Sequence, residues 1–591
     1  MLNAFMKQHF PLIEVKEPNL IRNVFPYTKP PMAAFDNVNF PAALPEDFWI
    51  TDTTFRDGQQ AGPPYSVEQT VKIFEFLHRL AGSTGVIRQS EFFFFSDRDR
   101  RAFEACKELN YEFPEMTTWI RASAKDIELI KNAGVKETGI LTSVSDYHIF
   151  LKLNSDRRKT LDSYLGVVKD ILAAGIKPRC HFEDITRADI YGFVLPFAEE
   201  LKKLADESKV PIKVRLCDTM GYGLPFVASN LPRSVPKLVY LFKESLGYTS
   251  EQLEWHGHND FHLVTANSLA FWLYGGSSIN GTLLGFGERT GNTPIEGLLI
   301  NYISLKGSSE GIDTETITEM AEYFRNEMGT NIPDNFPFVG SKFNVTRAGI
   351  HADGVIKNEE IYNIFDTKRI LNRPIGIAIA DKAGVAGIAL WINMHYKLSE
   401  GKEVDKRHPG IAKMNDKILK EYEKGRMTAI SDEELEKLVQ RYLPEVVPSE
   451  FDRIMANVEK HMLSLAEQTA ETEEIRSLDA ARIVPYLEQF IEENRSIQLI
   501  VVTDTQGKKI SHVCKLSDKG KFHAFKREDF SDSEWFSGPI RNGKAYVTEF
   551  YTSKYTEELC ITVAAPITGK NDKMVGILSF DIQFEEAAKL E

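Results

Sequence analysis

The stretch Trp255-His256-Gly257-His258-Asn259-Asp260 reads as a β-strand that turns polar at its last residues. A strand sends side chains two apart to one face, so His256 and His258 converge, and two converging imidazoles make half a metal site. The run Thr51-Asp52-Thr53-Thr54-Phe55-Arg56-Asp57-Gly58-Gln59-Gln60 offers a third group of the same kind, a carboxylate beside an arginine at another strand end. Asp57, His256 and His258 are therefore the candidate metal ligands. A His-x-His pair alone is commonly incidental, so the weight of this reading rests on the surrounding chain.

Working outward, short β-like runs at 48–54, 85–93, 115–121, 137–143, 176–182, 210–217, 253–258 and 279–286 alternate with amphipathic helical segments. This rhythm over one stretch of chain predicts a closed eight-stranded parallel barrel of the TIM type. Ser66 and Gln69 form a capping box before an apolar face of Val67, Val71, Phe74 and Leu77, and Leu161, Tyr164, Leu165, Val168 and Ile171 form another before the fifth strand. Barrel enzymes draw their sites from the C-terminal strand ends. Polar residues recur at those ends: Arg56-Asp57, Arg88 to Glu91, Arg121, Ser143 to Asp146 with His148, Glu183-Asp184 with Arg187, Asp218-Thr219, the two histidines, and Gly287 to Asn292. One such residue is ordinarily a solvated loop charge, whereas recurrence at every strand end marks a site.

The 591 residues are 26% charged with a net charge of −14, which disfavours nucleic acid and anionic membranes as partners. The five cysteines, Cys106, Cys180, Cys217, Cys514 and Cys560, are scattered without CxxC spacing, which argues against disulfides and thiolate zinc. No apolar run approaches the roughly 18 residues of a membrane span, and the N-terminus lacks the regions of a signal peptide. A soluble, cytoplasmic protein is expected. The four expected parts are an irregular proline-bearing arm (1–45), the catalytic barrel (46–325), accessory subdomains (326–475) and a C-terminal domain (476–591). In the accessory part Gly349 to Gly354 reads as a loop carrying His351, Tyr362 falls on a following helix, and Ser431 with Glu434 forms a capping box. The last part is one helix followed by an antiparallel sheet with strands at 497–503, 509–513, 545–552, 560–566 and 574–581.

A divalent cation held by one carboxylate and two imidazoles keeps open positions, which suits chelation of a 2-oxo acid. Arg56 is placed to hold the same carboxylate or a developing alkoxide. There is no Gly-x-Ser-x-Gly elbow, reactive cysteine motif or Walker loop, so the nucleophile must come from a second substrate, and an enolate is the natural candidate. Glu183, His351 and Tyr362 are the available acid/base groups.

These residues resemble the Claisen-condensing branch of the DRE-TIM metallolyases, which includes the 2-isopropylmalate, citramalate and homocitrate synthases and the Re-type citrate synthases. The matching motifs are the run 52–60, Glu183-Asp184-Ile185-Thr186-Arg187, Asp218-Thr219-Met220-Gly221, His256 to Asp260, Gly287-Glu288-Arg289-Thr290-Gly291-Asn292 and Gly349 to Gly354, together spanning about 48–395. The resemblance implies an acyl-CoA:2-oxo acid acyltransferase using acetyl-CoA and a divalent metal, Mn²⁺ first and Mg²⁺, Co²⁺ or Zn²⁺ otherwise, in a homodimer or higher homo-oligomer. It makes Asp57, His256 and His258 the ligands and Arg56, Gln60, Glu91 and Thr219 the oxo-acid contacts. His351, assisted by Glu183 and Tyr362, becomes the acid/base machinery. Phe286 stands where the branch carries a metal-binding Asn, so water is expected in place of a fourth protein ligand.

Strand two, Ile87-Arg88-Gln89-Ser90-Glu91, departs from the isopropylmalate type, and Arg88, Arg121 and Arg187 supply more cationic groups than a branched aliphatic oxo acid needs. A second, desolvated carboxylate calls for a paired arginine. Oxaloacetate, giving citrate, is therefore the first expectation, with homocitrate or 2-isopropylmalate synthesis as alternatives and Arg121 and Arg187 as further substrate contacts. The C-terminal segment, from Trp535-Phe536 through Tyr551 to Asp581, resembles Cache/PAS-like sensor domains, so a small-ligand regulatory module is expected there.

Overall fold

The computed structural model describes Thr28 and residues 42–587, apart from 132, 399–400, 448–449, 516–525, 555 and 570–572. Most of the expected arm thus lies outside the described residues.

Eight parallel strands close into a barrel in sequence order: β1 (Trp49–Asp52), β2 (Ile87–Phe92), β3 (Glu115–Arg121), β4 (Glu137–Ser143), β5 (Lys177–Glu183), β6 (Lys213–Asp218), β7 (Leu253–Gly257) and β8 (Ser278–Gly281). β6 starts later than the sequence pattern suggests, because Pro211 has no N–H for the ladder. β8 ends early, since the chain turns into the 3₁₀ segment Leu283–Gly285, with Leu284 at φ 57° and Thr282 Oγ1 donating to the Phe286 carbonyl at 2.6 Å.

The helices pack around the barrel by their apolar stripes. The Ser66/Gln69 capping box opens Val67–Ala81, but the buried stripe is Ile73, Phe74, Phe76, Leu77 and Leu80, and Val67 and Val71 lie at its half-buried rim. Positions 73, 76, 77 and 80 recur with helical spacing, which sets the stripe.

The lumen differs from the branched aliphatic filling usual in this fold. Strand alternation turns Gln89, Glu91, Glu137, Arg179, His181, Arg215 and Glu254 inward, all of them buried, while Cys180, Phe182 and Leu216 face the helices. The barrel core is therefore two cores: an apolar shell between strands and helices, and a charged lattice inside.

After the barrel, Val345–Thr346 (β9) pairs in parallel with Gly376–Ile377 (β10). The Gly349-to-Gly354 segment, expected as a loop, is the first part of a helix, Gly349–Lys357. Tyr362 caps the 3₁₀ turn Glu359–Ile361 instead of lying on a helix, and a Cβ at Gly354 would meet its ring at 2.6 Å, so the glycine admits the tyrosine.

The chain divides into two compact units, one holding the barrel through Trp391 with Lys417–Ile430, the other comprising Ile392–Asp416 and the chain from Ser431 on. The second carries an antiparallel sheet of β11 (Ile497–Asp504), β12 (Lys509–Cys514), β13 (Tyr546–Val547), β14 (Tyr551–Thr552), β15 (Leu559–Thr568) and β16 (Met574–Gln583), in the order β12-β11-β16-β15-β13, with β14 also on β15. One expected strand, 545–552, is thus two short ones. Val458, Met462, Ala466 and Ala470 of the helix Glu450–Ala470 are buried in the core of this sheet. Among the described residues no helix is long and apolar enough to cross a membrane.

Candidate active site

The two histidines at the end of β7 meet Asp57, which follows β1 at the entry to a 3₁₀ turn, Gly58–Ala61. Asp57 Oδ2 lies 3.3 Å from His256 Nε2 and 3.6 Å from His258 Nε2, and the two Nε2 atoms are 3.3 Å apart. His256 Nδ1 donates to Asn280 Oδ1 at 2.8 Å, and Asn280 is itself held by Thr51 Oγ1 at 3.0 Å, so β8 and β1 orient the ring and turn its Nε2 lone pair inward. Burial, only partly opposed by Asp57, lowers His256 to about 3 and also lowers His258, leaving both imidazoles neutral. Burial disfavours charge on Asp57 too, but the Arg56 charge and the Asn292 Nδ2–H act the other way, and the carboxyl lies below its ordinary value.

One carboxylate and two neutral imidazoles, all buried with donor atoms within 4.8 Å of one another, are a donor set that a divalent cation satisfies. Two orphaned atoms agree with that fit: His258 Nδ1 and Asn292 Oδ1 are buried without hydrogen-bond partners among the described residues. Asn292, and not Phe286, stands at the cluster. Phe286 packs on Phe324 at 5.4 Å, whereas Asn292 Nδ2 reaches Asp57 Oδ2 at 2.8 Å. An amide offers its oxygen to the same place by a flip about its last torsion.

Arg56 lies beside this cluster, its Nε donating to Glu91 Oε1 at 2.9 Å and its guanidinium 5.5 Å from the Trp119 ring centroid. Its Nη groups have no hydrogen-bond partner among the described residues, and Nη1 stands 3.9 Å from Asp57 Oδ1. Glu91 is fully engaged from below: Arg215 Nη1 donates to Oε1 at 3.1 Å and Arg179 Nη2 to Oε2 at 2.7 Å. Burial opposes its ionisation, but these arginines hold it well below the usual carboxylate range. Across the lattice the cations Arg56, Arg179, Lys213 and Arg215 face the carboxylates Asp57, Glu91, Glu137 and Glu254, so the formal charges balance.

The remaining candidates separate. Glu183 is bonded to Ser143, to His148 Nδ1 at 2.9 Å and to Lys152 Nζ at 3.0 Å; burial opposes its charge, yet these partners bring it to about 2. Thr219 Oγ1 accepts from the Asp184 N–H at 2.8 Å. Arg187 pairs with Asp184 at 2.8 Å and stacks on Tyr147 at 4.3 Å. Gln60 is exposed in the turn after Asp57, its N–H donating to the Asp57 carbonyl at 3.1 Å. Arg121 is turned to solvent, 63% exposed and paired with Asp126 at 2.8 Å. Arg88 pairs with Asp47 at 2.7 Å, and Asp47 precedes β1, so this arginine serves the other end of the barrel. His351 and Tyr362, both exposed, stack on each other with centroids 4.2 Å apart, and no hydrogen bond among the described residues joins either to Arg56, Asp57 or Glu183. Sequence reasoning passed over Arg179, Arg215, Glu254 and Asn280, and took Asn292 only as part of the Gly287-to-Asn292 run. The signal was present for the first three, since each alternates with apolar neighbours inside a strand and so points into the lumen.

The HMGL-like family matches residues 47–323, and the methyl-accepting chemotaxis protein-like first PDC sensor domain matches residues 483–589. The chain is 53% identical over 582 residues to the citrate (Re)-synthase of Syntrophus aciditrophicus strain SB, covering 98% of this chain and 92% of that protein. It is 48% identical over 444 residues to the citrate (Re)-synthase of Clostridium kluyveri, which covers 75% of this chain and 98% of that one. The 2-phosphinomethylmalate synthase of Streptomyces hygroscopicus is 37% identical over 432 residues, 72% of this chain and 97% of that protein.

Proposed function

The chain belongs to the citrate (Re)-synthase family of HMGL-like barrel enzymes, and on that premise we propose that it condenses acetyl-CoA with oxaloacetate, releasing citrate and CoA. The observation that carries the reading is the buried Asp57/His256/His258 cluster with Arg56 beside it, its Nη donors without hydrogen bonds among the described residues. Asp57, His256 and His258, with Asn292 as a fourth donor, would hold a divalent metal, Mn²⁺ first and Mg²⁺, Co²⁺ or Zn²⁺ otherwise. When bound, such an ion supplies Lewis-acid polarisation of the ketone and a template for the oxo acid.

Arg56 donates to the substrate carboxylate or to the oxygen that gains charge as the new bond forms. Thr219 and Gln60 complete the oxo-acid end, Glu91 serves it through its bond to Arg56, and Arg187, stacked on Tyr147, meets the second carboxylate. In the condensation a base takes a proton from the acetyl methyl group, and that carbon bonds to the ketone carbon. The ketone oxygen gains a proton to become the hydroxyl, and water then cleaves the thioester to free the CoA thiol. His351, with Tyr362 stacked against it and Glu183 assisting, is assigned the proton transfers. Glu183, held ionised, serves by charge and orientation of His148.

An exposed apolar face of Ile350, Ile361, Tyr362 and Ile364 supports a homodimer or higher assembly, and five free cysteines support operation in the reducing cytoplasm. The C-terminal unit is assigned as a small-ligand sensor regulating the enzyme. The test of the reaction is CoA release from acetyl-CoA with a panel of 2-oxo acids. Oxaloacetate is expected to give the highest kcat/KM, and isotopic labelling of the citrate should show addition to the Re face. Preference for 2-oxoglutarate or 2-oxoisovalerate would move the assignment to homocitrate or 2-isopropylmalate synthesis.

A further inference from the structure

We propose that Arg215 and Glu254, deep in the barrel lumen, are positioning residues for the condensation, acting through Glu91 on Arg56. Arg215 is wholly buried and forked: its Nε and Nη2 donate to Glu254 at 2.8 and 3.3 Å, and its Nη1 donates to Glu91 Oε1 at 3.1 Å. That same oxygen accepts the Arg56 Nε at 2.9 Å. One carboxylate oxygen therefore joins a guanidinium that sees no solvent to a guanidinium that faces the site. Arg179 holds the other oxygen of Glu91 at 2.7 Å, so the carboxylate plane is set from two sides.

Stability does not account for this arrangement. Buried ion networks lose on desolvation most of what they gain by attraction, and well-packed apolar side chains of similar volume commonly do as well or better. The fold ordinarily fills its lumen with branched aliphatic residues. What a forked, fully bonded network supplies instead is a single geometry. The packing leaves it no slack: a Cβ at Gly139 would lie 2.8 Å from Glu91 Oε2 and 2.6 Å from the His181 ring. With the lattice intact, Arg56 is fixed on Glu91 through Nε, and its Nη1 stands 3.9 Å from Asp57 Oδ1. Without Arg215, Glu91 Oε1 keeps the Thr53 hydroxyl at 3.1 Å but loses its buried cation, and Arg56, bonded to the same oxygen, shifts with it.

This inference rests on Arg56 contacting the oxo acid, as proposed above. The test is Arg215→Met, Arg56→Lys and the double variant, each with its melting temperature and with kcat and KM for oxaloacetate measured separately. Arg215→Met is expected to stay folded and to lower kcat/KM about 100-fold, the scale of an ångström's misplacement of a reacting partner. Adding it to Arg56→Lys should cost nothing further, since the route of its effect is already cut. Arg215→Lys, which keeps the charge and one donor, should recover part of the loss. Unchanged kcat/KM in folded Arg215→Met, or losses that multiply in the double variant, overturn the proposal. If Arg215→Met does not fold, Glu254→Gln replaces it, with the same non-additivity expected against Arg56→Lys and the same two results overturning it. Wild-type enzyme releasing no CoA from acetyl-CoA and oxaloacetate would instead sink the reaction, and this inference with it.

Discussion

Asn292 hands its Nδ2–H to Asp57 Oδ2 at 2.8 Å, the oxygen that stands 3.3 Å from His256 Nε2. It is the last residue of the Gly-Glu-Arg-Thr-Gly-Asn run, and its own Oδ1 is buried without a partner among the described residues. Asn292→Ala is therefore expected to weaken divalent metal binding by about 10–100-fold, the range for groups that orient or complete a metal site. Titration of the metal-free protein with Mn²⁺ measures it. An unchanged affinity would remove Asn292 from the site.

Metal removal should abolish CoA release, and Mn²⁺, Co²⁺ or Mg²⁺ should restore it, because the donor set mixes nitrogen and oxygen. His258→Ala should lose bound metal and turnover together. Stoichiometric metal retained in that variant would strike His258 from the ligands.

Arg187→Ala should lower kcat/KM for oxaloacetate more than for pyruvate. Arg187 is tied to Asp184 at 2.8 Å and stacked on Tyr147, so it is held ready for a second carboxylate at little cost in side-chain freedom. Equal losses on the two substrates would show that it does not read that carboxylate.

Glu296 should make the barrel less stable as pH rises. Burial raises its carboxyl from 4.5 to about 7; Oε2 accepts the Leu284 N–H at 3.1 Å, and Oε1 has no partner among the described residues. A folded-state value above the unfolded one favours folding while the group is protonated, so the contribution is present below about 4.5 and is lost as pH climbs through about 7. The full difference is about 3 kcal/mol. Glu296→Gln should therefore raise the melting temperature more at pH ~8 than at pH ~5. Parallel melting curves for variant and wild type across that interval would contradict the assignment.

Every residue assigned to chemistry lies before residue 363, so the sensor unit should be removable, but the cut matters. Truncation near Thr472 keeps the helix Glu450–Ala470 and strips away the sheet that buries its Val458, Met462, Ala466 and Ala470. A chain ending near Val447 avoids that exposed stripe. It is expected to remain an active metalloenzyme without response to small carboxylate or amino-acid effectors, whereas the Thr472 cut should aggregate. A folded, metal-loaded but inactive shorter chain, or one whose effector response is unchanged, would count against the sensor assignment.

The alternation of strand and helix, the capping boxes at Ser66 and Ser431 and the convergence of His256 with His258 were legible in the sequence, because each depends on spacing within one element. The charged lumen was half legible: Arg179 and Arg215 sit at inward positions of their strands, but which carboxylates they meet depends on the register of strands far apart in the chain. Barrel closure alone brought Asn292 to Asp57 across 235 residues and Arg215 to Glu91 across 124. It also turned Arg88 and Arg121 away from the site that their strand-end positions suggested. Local pattern determines which face a side chain takes, whereas its partner is chosen by the closed sheet, since only there do desolvation and pairing compete for the same buried charge.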